Sequence, residues 1–179
     1  MLMTEIRLLS PAEARDESVV EQIVRVVNAA YAVGEAGLWV DGWTRTNREE
    51  IAEAIRSGGL LAATADGEVV GCAYVQPLDA DTAELGLVSA ALEHWGSGIG
   101  RDLVQSAEEL MRSRGVATAQ LELLVPKDRE HPEKERLRAW YTRLGYRVVR
   151  VAAFDEIAAR AAPQLATPCE FLVFQKTLR

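Results

Sequence analysis

The stretch that decides the fold is Trp95-Gly96-Ser97-Gly98-Ile99-Gly100-Arg101. It lies between a predicted strand and a predicted helix. Alternating glycines let a backbone approach a ligand closely. The unpaired N–H groups in the first turn of a helix, together with the helix dipole, favour an anion. The stretch therefore predicts a cradle for a pyrophosphate, and a plain glycine-rich turn is the structural alternative.

Two other phosphate-binding loops do not match this spacing. A dinucleotide-binding loop needs Gly-x-Gly-x-x-Gly, but neither Arg101 nor Asp102 is a glycine. A P-loop needs a Gly-Lys pair, and the sequence contains none. A hydrolase serine elbow is also excluded, because the glycines around Ser97 lack the Gly-x-Ser-x-Gly spacing.

The segments on both sides of the cradle predict a mixed α/β fold. The strand before it covers residues 82–90, and the pair Asp66-Gly67 predicts a hairpin between two earlier strands. The other predicted strands are 5–9, 60–65, 68–76, 119–125, 146–154 and 170–178, and the predicted helices are 18–31, 46–55, 98–114 and 133–144, with a helical turn at 155–161. Hairpins combined with two helical crossovers predict a single mixed sheet flanked by helices. Thr46 and Glu49 have the spacing of a capping box at the start of the second helix.

Composition limits the classes of function. A chain of 179 residues suits one domain, residues 1–179. Its net charge is −7 and it has no basic block, which excludes a nucleic-acid partner and favours a cationic partner such as an amine. No apolar run reaches the ~18–20 residues of a membrane span. Glu5 and Arg7 stand where a signal peptide would be apolar, so we expect a cytoplasmic protein. Cys72 and Cys169 lack partners at metal-ligand spacing, which predicts buried thiols and no metal site.

The cradle resembles the Gln/Arg-x-x-Gly-x-Gly/Ala signature with which the GNAT superfamily of N-acetyltransferases holds the pyrophosphate of coenzyme A. Gly98 and Gly100 match its two fixed positions, whereas Trp95 stands where Gln or Arg is usual. The resemblance implies that residues 95–101 bind acetyl-CoA. Arg101 is a candidate to replace the lost side-chain contact with phosphate.

The resemblance extends to both sides of the cradle. Counting back without a gap places Glu84, Val88 and Ala90 on the family's Glu-x-x-x-Leu-x-Val strand. This implies splayed central strands, with the backbone of Val88, Ser89 and Ala90 offered to the acetyl carbonyl and the pantetheine arm. Downstream, residues 139–146 resemble the family's Phe-Tyr-x-Lys-x-Gly-Phe helix end. The matching tyrosine, Tyr141, protonates the coenzyme A thiolate in many members.

Acetyl transfer to an amine needs a proton acceptor for the amine and a proton donor for the thiolate. Tyr141 is the candidate acid and Glu84 the candidate base, with Glu122 or water as the alternative base. His94 and His131 are weaker candidates. Trp39 and Trp43 either shape the acceptor pocket or cover the edge of the core.

The resemblance thus implies an N-acetyltransferase that moves an acetyl group from acetyl-CoA to a primary amine by direct attack, since no activated cysteine is evident. Two alternatives stay open: a non-catalytic acyl-CoA sensor or scaffold, and an unrelated nucleotide-binding protein. We expect the acceptor to be a small molecule rather than a protein. A homodimer is left open.

Overall fold

The computed structural model describes residues 3–179, and seven strands there form one mixed sheet. The strands are β1 (Thr4–Leu8), β2 (Leu60–Ala65), β3 (Glu68–Pro77), β4 (Thr82–Ala90), β5 (Thr118–Pro126), β6 (Arg147–Ala153) and β7 (Cys169–Thr177). Their order across the sheet is β1-β2-β3-β4-β5-β7-β6. Only β4 and β5 are parallel neighbours, because the helix between them carries the chain back across the sheet.

Five α-helices cover the two faces of this sheet. They are α1 (Glu17–Gly34), α2 (Arg48–Arg56), α3 (Ile99–Ser113), α4 (Pro132–Arg143) and α5 (Phe154–Ala158), and short 3-10 helices cover Pro11–Arg15, Leu92–His94 and Ala159–Gln164. Across residues 3–179 every helix is too short or too polar to cross a lipid bilayer. The predicted mixed sheet flanked by helices is therefore confirmed, and most element bounds agree to within one residue.

The alternation of side chains along the central strands divides the core between the two faces. Val75 and Leu85 point to the face covered by α3 and α4. Cys72 and Leu87 point to the face covered by α1 and α2. Cys72 and Cys169 are free and buried, as the sequence predicts.

The predicted capping box at the start of α2 is wrong. Asn47 is the N-cap, and its side chain accepts a hydrogen bond from the Glu50 amide at 3.0 Å. The Thr46 hydroxyl instead donates to the Glu50 carboxylate at 3.0 Å. The helix therefore begins at Arg48, one residue later than a cap at Thr46 would require.

The two central strands separate soon after they begin. β4 pairs with β5 only as far as Glu84 opposite Gln120. Beyond that point β4 has a bulge, where its register with β3 shifts and Leu87 takes a φ of 55°. A bulge bends its strand and increases the local twist. The predicted splay of the central strands is confirmed, and it leaves an opening through the sheet next to the glycine cradle.

Candidate active site

The glycine cradle follows β4 directly and ends at the N-terminus of α3. Gly96 and Gly98 have φ values of 83° and 95°, which side-chain-bearing residues rarely adopt. Gly98 is the N-cap and offers no side chain, and the first helical bond is from the Asp102 amide to the Gly98 carbonyl, 3.0 Å. Among the described residues, the amides of Ile99, Gly100 and Arg101 have no hydrogen-bond acceptor. The loop therefore presents a group of free donors at the positive end of a helix, which suits an anion such as pyrophosphate.

Two side chains of the cradle have partners within the protein. The indole Nε1 of Trp95 donates to the Ala90 carbonyl at 2.9 Å, and the guanidinium of Arg136 on α4 lies over the indole ring at 5.2 Å. Trp95 therefore connects the loop to β4 and to α4. Arg101 forms an exposed ion pair with Asp102 at 3.2 Å, so its guanidinium lies at the protein surface beside the cradle.

The end of β4 borders the opening between the strands. Ala91 donates its N–H to Val70 of β3 at 2.8 Å, so alternation along the strand turns the peptide groups of Ala90 and Val88 toward the opening. The Ala90 carbonyl there is already bound by the indole of Trp95, which leaves its N–H and the groups of Val88. The Ser89 hydroxyl is buried and has no hydrogen-bond partner among the described residues.

Glu84 lies at the last paired position before the splay and faces α1 and α2. Burial, a hydrogen bond with the Glu122 carboxyl and the charge of Glu122 raise the pKa of Glu84 from 4.5 to about 8, while Arg45 opposes the rise. Glu122 is oriented by the Gln120 amide, which donates to it at 3.1 Å. The two carboxyls that the sequence offers as alternative bases are therefore neighbours that act on each other.

Tyr141 lies on the opposite side of the opening, on α4. Its side chain is only 8% exposed and packs against Trp140, Tyr146 and Phe174. Its hydroxyl has no hydrogen-bond partner among the described residues. Burial raises the pKa of Tyr141 above its ordinary value, and Tyr31 on α1 adds to this effect from across the sheet. The phenol therefore stays protonated near neutral pH and has a proton available for a ligand in the opening.

A cavity of about 180 Å³ lies beside Glu84 on the α1 and α2 face. It is lined by Arg45, Thr46, Glu50, Ala54, Tyr74, Gln76, Glu84, Gly86 and Leu87. A side chain at Gly86 would enter open space, so glycine keeps this part of the cavity wide. The sequence analysis did not find Arg45 or Glu50. Arg45 lies on the segment between the first two helices and Glu50 lies in the first turn of α2, and neither place carries a spacing specific to an acceptor.

The remaining candidates lie away from this cavity. Trp39 and Trp43 stack on each other at 3.9 Å, and Trp39 packs against Phe154, which agrees with the interpretation that they cover the core edge. The ring of His131 is buried and bonds to the Ala36 carbonyl at 2.8 Å. His94 belongs to the 3-10 turn before the cradle.

Lys134 and Glu35 form a buried ion pair at 2.5 Å. This pair connects α4 to the end of α1. Lys134 therefore serves a structural contact in this chain. Glu35 also accepts a hydrogen bond from the Trp39 indole at 3.1 Å.

Comparison with known proteins shows the family and the fold of the chain. The profile of the Acetyltransferase (GNAT) family matches residues 26–146, about two thirds of the chain. No curated protein matches the sequence. Similar solved structures include an aminoglycoside 6'-N-acetyltransferase complexed with coenzyme A, at 19% identity and a TM-score of 0.72, covering 98% of this chain and 97% of the other.

Two further structures have the same fold. The PaiA N-acetyltransferase from Thermoplasma acidophilum, in complex with coenzyme A, is 20% identical with a TM-score of 0.69, over 98% of this chain and 99% of the other. A ribosomal-protein-alanine N-acetyltransferase from Escherichia coli is 16% identical with a TM-score of 0.66, over 98% and 94%. At these identities the likeness shows the fold, and the acceptors of these proteins differ widely.

Proposed function

The chain belongs to the GNAT acetyltransferase family, and from this we propose that it transfers the acetyl group of acetyl-CoA to the primary amine of a small acceptor by direct attack. The observation that carries the proposal is the opening between β4 and β5. The free amides of the cradle border it at one end, and Glu84 and Tyr141 lie on either side of it. An acyl donor and an amine that approach from opposite faces of the sheet can meet in this opening.

The residues of the cradle fit the pyrophosphate of acetyl-CoA. The free amides of Ile99, Gly100 and Arg101 are donors that need an acceptor, and they lie at a helix N-terminus. Gly96, at the start of the cradle, has open space where a Cβ would stand, so no side chain would crowd a ligand there. The peptide groups of Val88 and Ala90 would meet the pantetheine arm, and the cosubstrate would supply the activated acetyl group.

We assign two proton transfers to the chain: one takes a proton from the attacking amine, and the other gives a proton to the departing thiolate. The amine nitrogen forms a bond to the thioester carbon, and the C–S bond breaks. Glu84 takes the proton that the amine loses, which requires the carboxylate and therefore favours a pH near or above about 8. The Tyr141 hydroxyl gives its proton to the departing thiolate, and its raised pKa keeps that proton in place until then.

The size of the cavity supports a small acceptor. Sites for drug-sized ligands measure ~300–1,000 Å³, and the cavity beside Glu84 is about 180 Å³. We further propose that residues 1–179 work as one domain in the cytoplasm, because one sheet runs from β1 to β7 and both cysteines are free thiols.

The test is release of the coenzyme A thiol from acetyl-CoA in the presence of a panel of primary amines. Release that depends on an amine, with the acetylated amine found by mass spectrometry, is the expected result. Calorimetric binding of acetyl-CoA without amine-dependent release would mean an acyl-CoA sensor. Binding of ATP or NAD without binding of acetyl-CoA would mean a nucleotide-binding protein.

A further inference from the structure

The cavity beside Glu84 is lined by a cationic side chain, Arg45, that has no acidic partner among the described residues. Arg45 lines the cavity together with Glu84 and Glu50, yet no carboxylate among the described residues lies within ion-pair distance of its guanidinium. The carboxylate of Glu50 is instead bound by the Thr46 hydroxyl at 3.0 Å. Arg45 is half-buried, so its charge is partly removed from water. The Tyr31 hydroxyl is close enough to share a hydrogen bond with it, and most of the five guanidinium donors remain available to a ligand.

The position of Arg45 is held from two sides. Its guanidinium lies over the ring of Tyr31 on α1 at 5.2 Å, a cation–π contact. The Asn28 side chain clamps the backbone of the next residue, Thr46: it donates to the carbonyl at 3.1 Å and accepts from the amide at 3.0 Å. An arginine that is already ordered loses less conformational entropy when it binds a ligand. Such ordering in a cavity is the arrangement expected of a binding group.

The cavity therefore presents a base and a fixed cation to the same space. Arg45 is close enough to Glu84 to act on its ionisation. A complementary ligand carries an amine at one end and an anion at the other. The planar fork of guanidinium binds the two oxygens of a carboxylate in parallel, and the small volume of the cavity favours a compact anion.

We propose that the acceptor is a small amino carboxylate, such as a free amino acid, whose carboxylate is bound by Arg45 while its amine lies at Glu84. The inference rests on the proposed acetyl transfer and specifies its substrate class. It also separates the free amino acid from a peptide or protein amine, because the α-carboxyl of an N-terminal residue is an uncharged amide.

The experiment compares matched acceptors. For each of several amino acids, kcat/KM is measured for the amino acid, its carboxamide and the amine that lacks the carboxyl group. A charge-assisted hydrogen bond predicts a preference for the carboxylate of about 10–150-fold. An aminoalkyl phosphate of similar length is included, because it offers an anion of different shape and charge.

Two variants of Arg45 and one control variant test which side chain gives this preference. Arg45→Gln should reduce the ratio between carboxylate and carboxamide to below about threefold. A ratio is used because it cancels any effect of the variant on the base. Arg48→Gln is the matched control, since Arg48 is exposed and paired with Glu21 outside the cavity, and it should keep the full ratio. Arg45→Lys keeps the charge without the fork and should fall between the two.

Each outcome decides one point. Equal rates for all three acceptors, with thiol release intact, would overturn this inference and leave the acetyltransferase proposal standing. A carboxylate preference that survives Arg45→Gln would overturn the assignment to Arg45. A faster reaction with the aminoalkyl phosphate would overturn the choice of carboxylate. If the protein binds acetyl-CoA but releases no coenzyme A thiol with any amine, both proposals are overturned. If Arg45→Gln does not fold, the wild-type ratio and Arg45→Lys still test the idea.

Discussion

The raised pKa of Glu84 can be tested by changing its neighbour Glu122. Burial of Glu84, its hydrogen bond with Glu122 and the charge of Glu122 raise this pKa from 4.5 to about 8. At about 1.4 kcal/mol per pH unit, the difference corresponds to roughly 5 kcal/mol in favour of the protonated form. Glu122→Gln keeps the size of the side chain and an oxygen for the Gln120 amide, while it removes the second negative charge.

The expected result is a shift of the acidic limb of the pH–rate profile to lower pH. The amide at position 122 can donate to the Glu84 carboxylate, and the like charge is gone, so the pKa of Glu84 should fall by at least about one unit. Burial remains, and the pKa should therefore stay above 4.5. A pKa that falls from about 8 to about 7 raises the ionised fraction at pH 7 from roughly one tenth to one half. The variant should then be about fivefold faster than wild type at pH 7 and equal to it above pH 9.

The assay is kcat/KM between pH 5.5 and 10 with one amine, because this quantity reports the ionisation of the free enzyme. The amine contributes its own acidic limb, which is identical for both proteins, so only the difference between them is interpreted. Glu84→Gln is the control, and its pH–rate profile should lack the acidic limb that is due to ionisation of Glu84. Superimposed profiles for wild type and Glu122→Gln would refute the coupling of the two carboxyls.

Four further predictions follow from the site and its surroundings. Tyr141→Phe should lower the single-turnover rate ~10²–10⁴-fold with acetyl-CoA affinity unchanged. A rate within threefold of wild type would mean that Tyr141 only packs in the core and does not donate the proton. The folded-state pKa of Glu84 lies above its unfolded value, so the wild-type protein loses stability as pH rises from about 4.5 to about 8. The unfolding free energy of Glu84→Gln, relative to wild type, should therefore be ~2–4 kcal/mol higher at pH 9 than at pH 4. The same difference between the two proteins at both pH values, in denaturant titrations, would contradict this. Lys134→Met leaves Glu35 buried without a cation and should cost ~3–5 kcal/mol, most of which the added Glu35→Gln should restore in the same titrations. Gly100→Asp should fold, as circular dichroism can check, yet weaken acetyl-CoA binding at least ~30-fold, or ~2 kcal/mol, because it puts a negative charge in the first turn of α3, next to the free amides of the cradle. Unchanged affinity in calorimetry would remove the cradle from the site.

Features that depend on neighbouring residues were readable from the sequence. The hairpin at Asp66-Gly67 is confirmed, with φ values of 52° and 81° at the turn. The predicted helix start at Gly98 is one residue early, and Gly98 is the left-handed N-cap of α3, a conformation that glycine takes without strain. Both are consequences of local backbone sterics, which act through a few adjacent residues whatever the rest of the fold does.

The start of α2 shows where local reasoning fails. Thr46 and Asn47 are both good capping residues, so sequence alone does not decide between them. The Asn28 side chain on α1 holds the backbone of Thr46 from 18 residues away in the sequence, and Asn47 takes the cap position instead. A contact between distant segments settled a choice that local propensity left nearly equal.

The sequence by itself determined the order of elements, the glycine cradle and the identity of Glu84 and Tyr141 as candidates. Only the tertiary structure decided what these groups can do. Glu84 and Glu122 become neighbours because α3 returns the chain so that β5 lies parallel to β4, and their mutual effect exists only at that distance. The cavity with Arg45 forms between a loop and a strand that are far apart in the chain. Ionisation and binding depend on burial and on charges across space, and a linear sequence does not contain those distances.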